Sequence, residues 1–175
     1  MELDSLHELY VDELKDLYSA ENQILKGMPR MIKAASSKEL KRAFAQHEKM
    51  TQRQVKRLER ICKQLGVKPS GKKCVGMEGL IDEVKELIGE KPEPEVLDAG
   101  LISKAQHIEH YEMAGYGTVR TYARTLGLTE QQNLLQETLD EEQATDKLLT
   151  QIAENGINVE AIDPEDGEED GEDEE

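Results

Sequence analysis

Residues 102–127 read ISKAQHIEHYEMAGYGTVRTYARTLG. Taken at steps of three and four, Ile102, Ala105, Glu109, Glu112, Tyr116, Val119, Ala123 and Leu126 fall on one helical face. Gly127 follows where a left-handed residue ends a helix. The face is apolar at both ends and acidic in the middle. A glutamate on a core-facing stripe gives up its hydration, so this pattern needs a reason. The segment predicts a long helix that aims two carboxylates inward, and its meaning depends on what the neighbouring helices place at the same level.

Three other segments carry the same spacing. The first runs Leu6, Tyr10, Leu14, Leu17, Glu21, Ile24, Met28, Met31, Ala35, with Pro29 inside it predicting a kink unless the freed carbonyl finds another partner. The second, opened by Ser36 with Glu39 as a capping box, runs Leu40, Phe44, His47, Thr51, Gln54, Leu58, Ile61, Leu65 and stops at Gly66. The last, opened by Thr129 with Gln132, runs Leu135, Thr138, Glu142, Thr145, Leu149, Ile152 and ends near Asn155-Gly156. The turns at Ser36-Ser37 and Gly127-Leu128 are short, which makes antiparallel neighbours. By contrast, a long stretch separates Gly66 from Asp98, broken by Pro69, Gly71, Pro92 and Pro94 around a short amphipathic piece, Met77 to Ile88. The sequence therefore predicts an all-α chain: a ferritin-like four-helix bundle with a long crossover between helices two and three that contains a short extra helix. No internal repeat suggests a solenoid.

Composition agrees. Aromatic residues make up 3% of 175, with no Trp, which disfavours a β-sandwich or barrel. The formal charge of −16 is uneven, because DPEDGEEDGEDEE at 163–175 holds ten of the acids and no base. Residues 1–160 are expected to form the bundle domain and 161–175 a disordered acidic tail. Net acidity argues against nucleic acid as a partner. No apolar run suits a membrane span or signal peptide, and a soluble, cytoplasmic protein is expected. Cys62 and Cys74 lack the spacing of a zinc site or disulfide framework and read as free thiols.

All four stripes fail near their midpoints, and each failure is a residue able to bind a metal or a metal's ligand. These are Glu21; His47, Thr51 and Gln54; Glu109 and Glu112; and Thr138, Glu142 and Thr145, with Glu141 and Asp146 on the flanks. No Lys or Arg lies on the stripes, so buried carboxylates need protons or cations as compensation. Oxygen-rich sites with an imidazole suit iron or manganese. The expected ligands are Glu21, His47, Glu109, Glu112 and Glu142 or its neighbour Glu141, with Gln54, Thr51, Tyr116 and Asp146 around them. The expected cofactor is iron as two ions, with manganese or zinc as alternatives. His47 is open between a ligand, a partner to a glutamate and a hydrogen-bonded core residue. If the register is off by one position, the glutamates are instead solvated charges on the bundle flanks.

The residues DLYSAENQILKGMPRM (16–31), SSKELKRAFAQHEKMTQRQVKRLERI (36–61), GKKCVGMEGLIDE (71–83), HIEHYEMAGYGTVRTYARTLG (107–127) and ETLDEEQATDKLL (137–149) resemble the YciF-type ferritin-like stress proteins over roughly residues 4–155. The resemblance implies a rubrerythrin-like bundle, a homodimer in the bacterial cytoplasm and a link to stress. The wider superfamily carries a Glu on helix one, Glu-x-x-His on helix two, Glu on helix three and Glu-x-x-His on helix four. By position, Glu21, Glu109, Glu112 and Glu141 or Glu142 match its carboxylates. Thr51-x-x-Gln54 replaces the first doublet, and Ala144 or Thr145 replaces the second histidine. The expected function is metal binding in oxidative or general stress, with iron-dependent oxidation of Fe(II) or reduction of peroxide as the chemistry. The alternative is a non-catalytic helical interaction protein with a vestigial site. A 24-subunit iron store suits the long crossover and acidic tail less well. No Gly-x-Ser-x-Gly, phosphate loop or His-Glu-x-x-His motif supports hydrolytic chemistry.

Overall fold

Ser5 opens the first helix, α1 (Leu6–Ala34): its hydroxyl accepts the Glu8 amide at 3.2 Å, satisfying a donor that the first turn leaves free. The helix continues through Pro29 and ends at Ala35. In α2 (Lys38–Gln64) the cap is Ser37 rather than Ser36, with the Ser37 hydroxyl accepting the Leu40 amide at 3.3 Å. The computed structural model describes residues 3–162; the acidic run from 163 on, expected to be a tail, lies outside the described residues.

The crossover contains α3 (Val75–Glu90), a few residues longer at each end than predicted and capped by Cys74. Next, α4 (Pro94–Thr125) begins two turns before Ile102, because Pro94 is not a breaker but the first helical residue, where its missing N–H costs nothing. The last long helix, α5 (Thr129–Ile152), has Leu128 at its cap and no side-chain cap bond, so the expected Thr129 cap does not form. It continues through a π-helical turn, Ala153–Ile157, into α6 (Asn158–Glu160).

Two glycines end helices as expected. Gly66 at φ +69° and Gly127 at φ +74° are left-handed. The amides that follow them, Val67 and Leu128, reach back to the carbonyls of Cys62 at 3.0 Å and Ala123 at 2.9 Å. α1–α2 and α4–α5 are thus antiparallel pairs. Asp98, early in α4, bonds to Ser36 and Ser37 at the α1–α2 turn, whereas Tyr10, early in α1, donates to Gln131 early in α5 at 2.9 Å. These contacts make α2 and α4 parallel, as a single long crossover requires, and the predicted ferritin-like topology is the one observed.

The core has two apolar parts. At the Ser36 end, Met28, Met31, Phe44, Leu101, Ile102 and Leu149 pack with Met77, Ile81 and Val84 of α3. At the other end, Tyr10, Leu14, Leu58, Ile61, Val119 and Leu135 pack together. Each such side chain contributes about 1.5–3 kcal/mol through burial, so the bundle is held from both ends. Gly115 lets α1 and α4 approach near the middle, since a Cβ there would lie 2.7 Å from Leu17 Cδ2. The level between the two parts is polar.

Candidate metal centre

Three helices bring four ligand-type side chains to one point. His47 from α2, Glu109 and Glu112 from α4, and Glu142 from α5 each present an atom, and these atoms lie within 4.8 Å of one another. The i, i+3 spacing puts Glu109 and Glu112 on one face of α4, so both follow from the helix. His47 Nε2 stands 3.4 Å from Glu109 Oε1 but without hydrogen-bond alignment. From α1, Glu21 is buried beside them and accepts the Tyr116 hydroxyl on Oε1. All five are at most 3% exposed.

What these groups lack is hydrogen-bond partners. Both oxygens of Glu112 and of Glu142, Glu109 Oε2, Glu21 Oε2 and both ring nitrogens of His47 are buried with no donor or acceptor. Native interiors pair nearly all such atoms, so a group of orphans at one point needs an explanation. Burial, reinforced by their neighbours' charge, holds Glu21, Glu109 and Glu112 well above the carboxylate range. Burial likewise raises Glu142 to about 8, with the neighbouring Glu109 carboxyl opposing. His47 is pushed down to about 4 by burial, with the charge of Glu141 opposing. Near pH 7 the imidazole is therefore neutral, with a lone pair available, and the carboxyls hold protons that a cation can displace. The donor set, three carboxylates and one imidazole converging with unused lone pairs, fits a hard divalent metal such as iron or manganese.

A family model described as "Domain of unknown function (DUF892)" matches residues 5–162. The chain belongs to the DUF892 family. Protein YciF of Escherichia coli (strain K12) is 40% identical over 162 residues, which is 92% of this chain and 98% of YciF. The crystal structure of that stress protein matches with a TM-score of 0.85, covering 89% of this chain and 98% of its own. YcfI from Rhodopseudomonas palustris is 39% identical with a TM-score of 0.83, covering 85% and 95%. A protein from Xanthomonas campestris pv. campestris, 24% identical over 89% of this chain and 95% of its own, with a TM-score of 0.73, shares the fold.

Several expected site residues of this DUF892 chain are placed differently from the sequence reading. Glu141 does not join the cluster: it turns toward α2, where Arg57 grips it through two bonds of 2.6 and 2.9 Å. Glu142, one position on, is the residue that faces inward. No Lys or Arg lies on the stripes, but Arg57 reaches the layer's edge from beside one, and it also meets Glu137 and the Thr138 hydroxyl. Its side chain starts beside the stripe and crosses to α5, a reach that helical spacing alone does not reveal; the acids Glu137 and Glu141, one turn apart, were the available signal. Gln54 is buried and donates to Glu141 at 3.1 Å, leaving its Oε1 without a partner. The Thr51 hydroxyl bonds to the carbonyl of His47 at 3.1 Å, and that of Thr145 to the carbonyl of Glu141 at 3.1 Å. Asp146 lies at the edge, taking Gln106 at 3.1 Å and facing His110 at 3.2 Å.

Both cysteines are free and buried. Cys74 contacts the Tyr111 hydroxyl at 2.9 Å, and that hydroxyl donates to Asp16 at 3.0 Å, a network the stripes did not disclose. Among the described residues, no helix is long and apolar enough to cross a membrane.

Proposed function

We propose that this DUF892 protein is a metal-binding ferritin-like protein of oxidative or general stress response, holding iron through His47, Glu109, Glu112 and Glu142, with Glu21 beside them. One observation carries the reading: carboxylates and an imidazole from three helices converge, fully buried, with their lone pairs unused. A structural layer of that kind would be satisfied by donors from the chain. Bound iron would supply Lewis acidity and one-electron redox chemistry, and the proposed reactions are oxidation of Fe(II) or reduction of peroxide.

The chain's own part is binding, orientation and shielding. His47 presents a neutral nitrogen, and Tyr116 fixes Glu21 through its hydroxyl. The two apolar ends keep bulk water from the layer. A cavity of about 10 Å³ for the centre of a water-sized molecule opens onto His47 and Glu109 between Met28, Met31, Phe44 and Leu149, which suits a very small reactant. The likeness to YciF, a stress protein, supports the stress role; a homodimer in the cytoplasm is proposed with it.

The test is elemental analysis of protein loaded anaerobically with Fe(II) and desalted, beside Glu109→Ala. Iron retained by the wild type and lost by the variant is expected, with peroxide consumption the next assay. A wild type that retains no iron contradicts the proposal and favours the non-catalytic helical protein, its glutamates simply protonated.

A further inference from the structure

Sequence reasoning expects two ions at this centre, but the α2–α5 side of the layer carries an Arg57–Glu141 pair. We infer that the centre takes one hard divalent cation per chain, and that the Arg57–Glu141 pair closes the position where a second would sit. The inference rests on the metal-binding reading above and concerns how many ions that site admits.

The first support is size. Donors around a single divalent ion lie at about 2.0–2.6 Å from it, so opposite donors are about 4–5 Å apart. The atoms of His47, Glu109, Glu112 and Glu142 fall within 4.8 Å of one another, the span of one coordination sphere. A single ion could therefore take one atom from each of the four residues.

The second support is what lies on the α2–α5 side. A second ion needs anionic or imidazole donors there, and the residues present are already committed. Glu141 is held by Arg57 and by the Gln54 amide, and Thr51 and Thr145 spend their hydroxyls on backbone carbonyls of their own helices. Glu21, on α1 rather than on this side, has one oxygen taken by Tyr116 and keeps the other free. Apart from His47, which the first ion takes, Gln54 Oε1 is what is left unpartnered on α2 at this level, and a neutral amide oxygen alone is a poor anchor for a divalent ion. The Arg57 side chain is 12% exposed and is held by Glu137 as well as Glu141, so it is fixed in place on this side of the layer. Arg57 thereby withdraws Glu141 from the ligand pool and fills the space beside it with a guanidinium that cannot ligate a metal.

The test uses Mn(II), whose electron-spin spectrum separates isolated ions from coupled pairs. Wild-type protein and Arg57→Gln are loaded with Mn(II), desalted, counted by elemental analysis and examined by electron paramagnetic resonance. The expected result is one ion per chain with an isolated-ion spectrum in the wild type, and additional, weaker binding in Arg57→Gln, where Glu141 is released. Two coupled ions in the wild type overturn the inference and leave metal binding standing. No bound ion overturns both. One ion in each protein overturns the part given to Arg57, and if the variant fails to fold the wild-type count and spectrum still decide the number.

Discussion

Asp98 and Glu112 are both buried carboxylates on α4, and the protein treats them in opposite ways. Asp98 accepts the amides of Ser36 and Ser37 at 2.8 and 2.7 Å and the Ser36 hydroxyl at 2.6 Å, so it ties the start of α4 to the α1–α2 turn. Glu112, one face along and four turns on, accepts nothing on either oxygen. This bundle can satisfy a buried carboxylate when one is structural. That it leaves six oxygens of four glutamates at one level without a donor indicates a site whose partner comes from outside the chain.

Metal gives the largest contrast. With free Fe(II) a thousandfold above the dissociation constant, anaerobic thermal unfolding should show about 4 kcal/mol of added stability, roughly 8–16 °C for a domain of this size. Replacing Asp98 should hurt regardless of metal. Asp98→Ala strands three donors and should lower stability by about 3 kcal/mol in urea titrations, equally with and without Fe(II). Glu112 should show the reverse sign. Glu112→Gln, which removes a group forced to keep its proton, should stabilise the metal-free protein at pH 8 and abolish the response to metal. If Glu112→Gln destabilises as Asp98→Ala does, the distinction between the two carboxylates fails.

The smallest effect is the pH dependence of the metal-free protein. Glu142 stands at about 8 when folded against an ordinary value of 4.5, so the unfolded chain loses its proton first. Its contribution to stability is full below about 4.5 and is lost as pH rises toward 8. His47, lowered from 6.5 to about 4, acts with the opposite sign, but only between those values. From pH 6.5 to 8 the carboxyls therefore act alone, and the unfolding free energy from urea titrations should fall by about 1.4 kcal/mol per pH unit for each proton retained. A flat profile in that window would place the glutamates in water.

The fold was legible because its punctuation is local. Gly66 and Gly127 end helices by backbone conformation, and the interrupted stripes mark the polar level whatever the neighbouring helices do. What was not legible depends on partners far along the chain. Whether Glu141 or Glu142 faces inward is decided by Arg57, 84 residues before Glu141. The Ser36 cap was misplaced by one residue because Ser36 bonds instead to Asp98, 62 residues away. Pro94 reads as a breaker in a list of prolines and as a helix start once the chain on both sides is seen. In each case local chemistry permits two answers and a tertiary contact selects one.

The central claim is that protons occupy the glutamates until a cation replaces them. Anaerobic calorimetric titration of Fe(II) at pH 7, in two buffers of different ionisation enthalpy, measures that exchange directly. The account predicts saturable binding whose heat differs between the buffers by at least one proton released per ion. Binding without proton release, or no saturable binding, would contradict it.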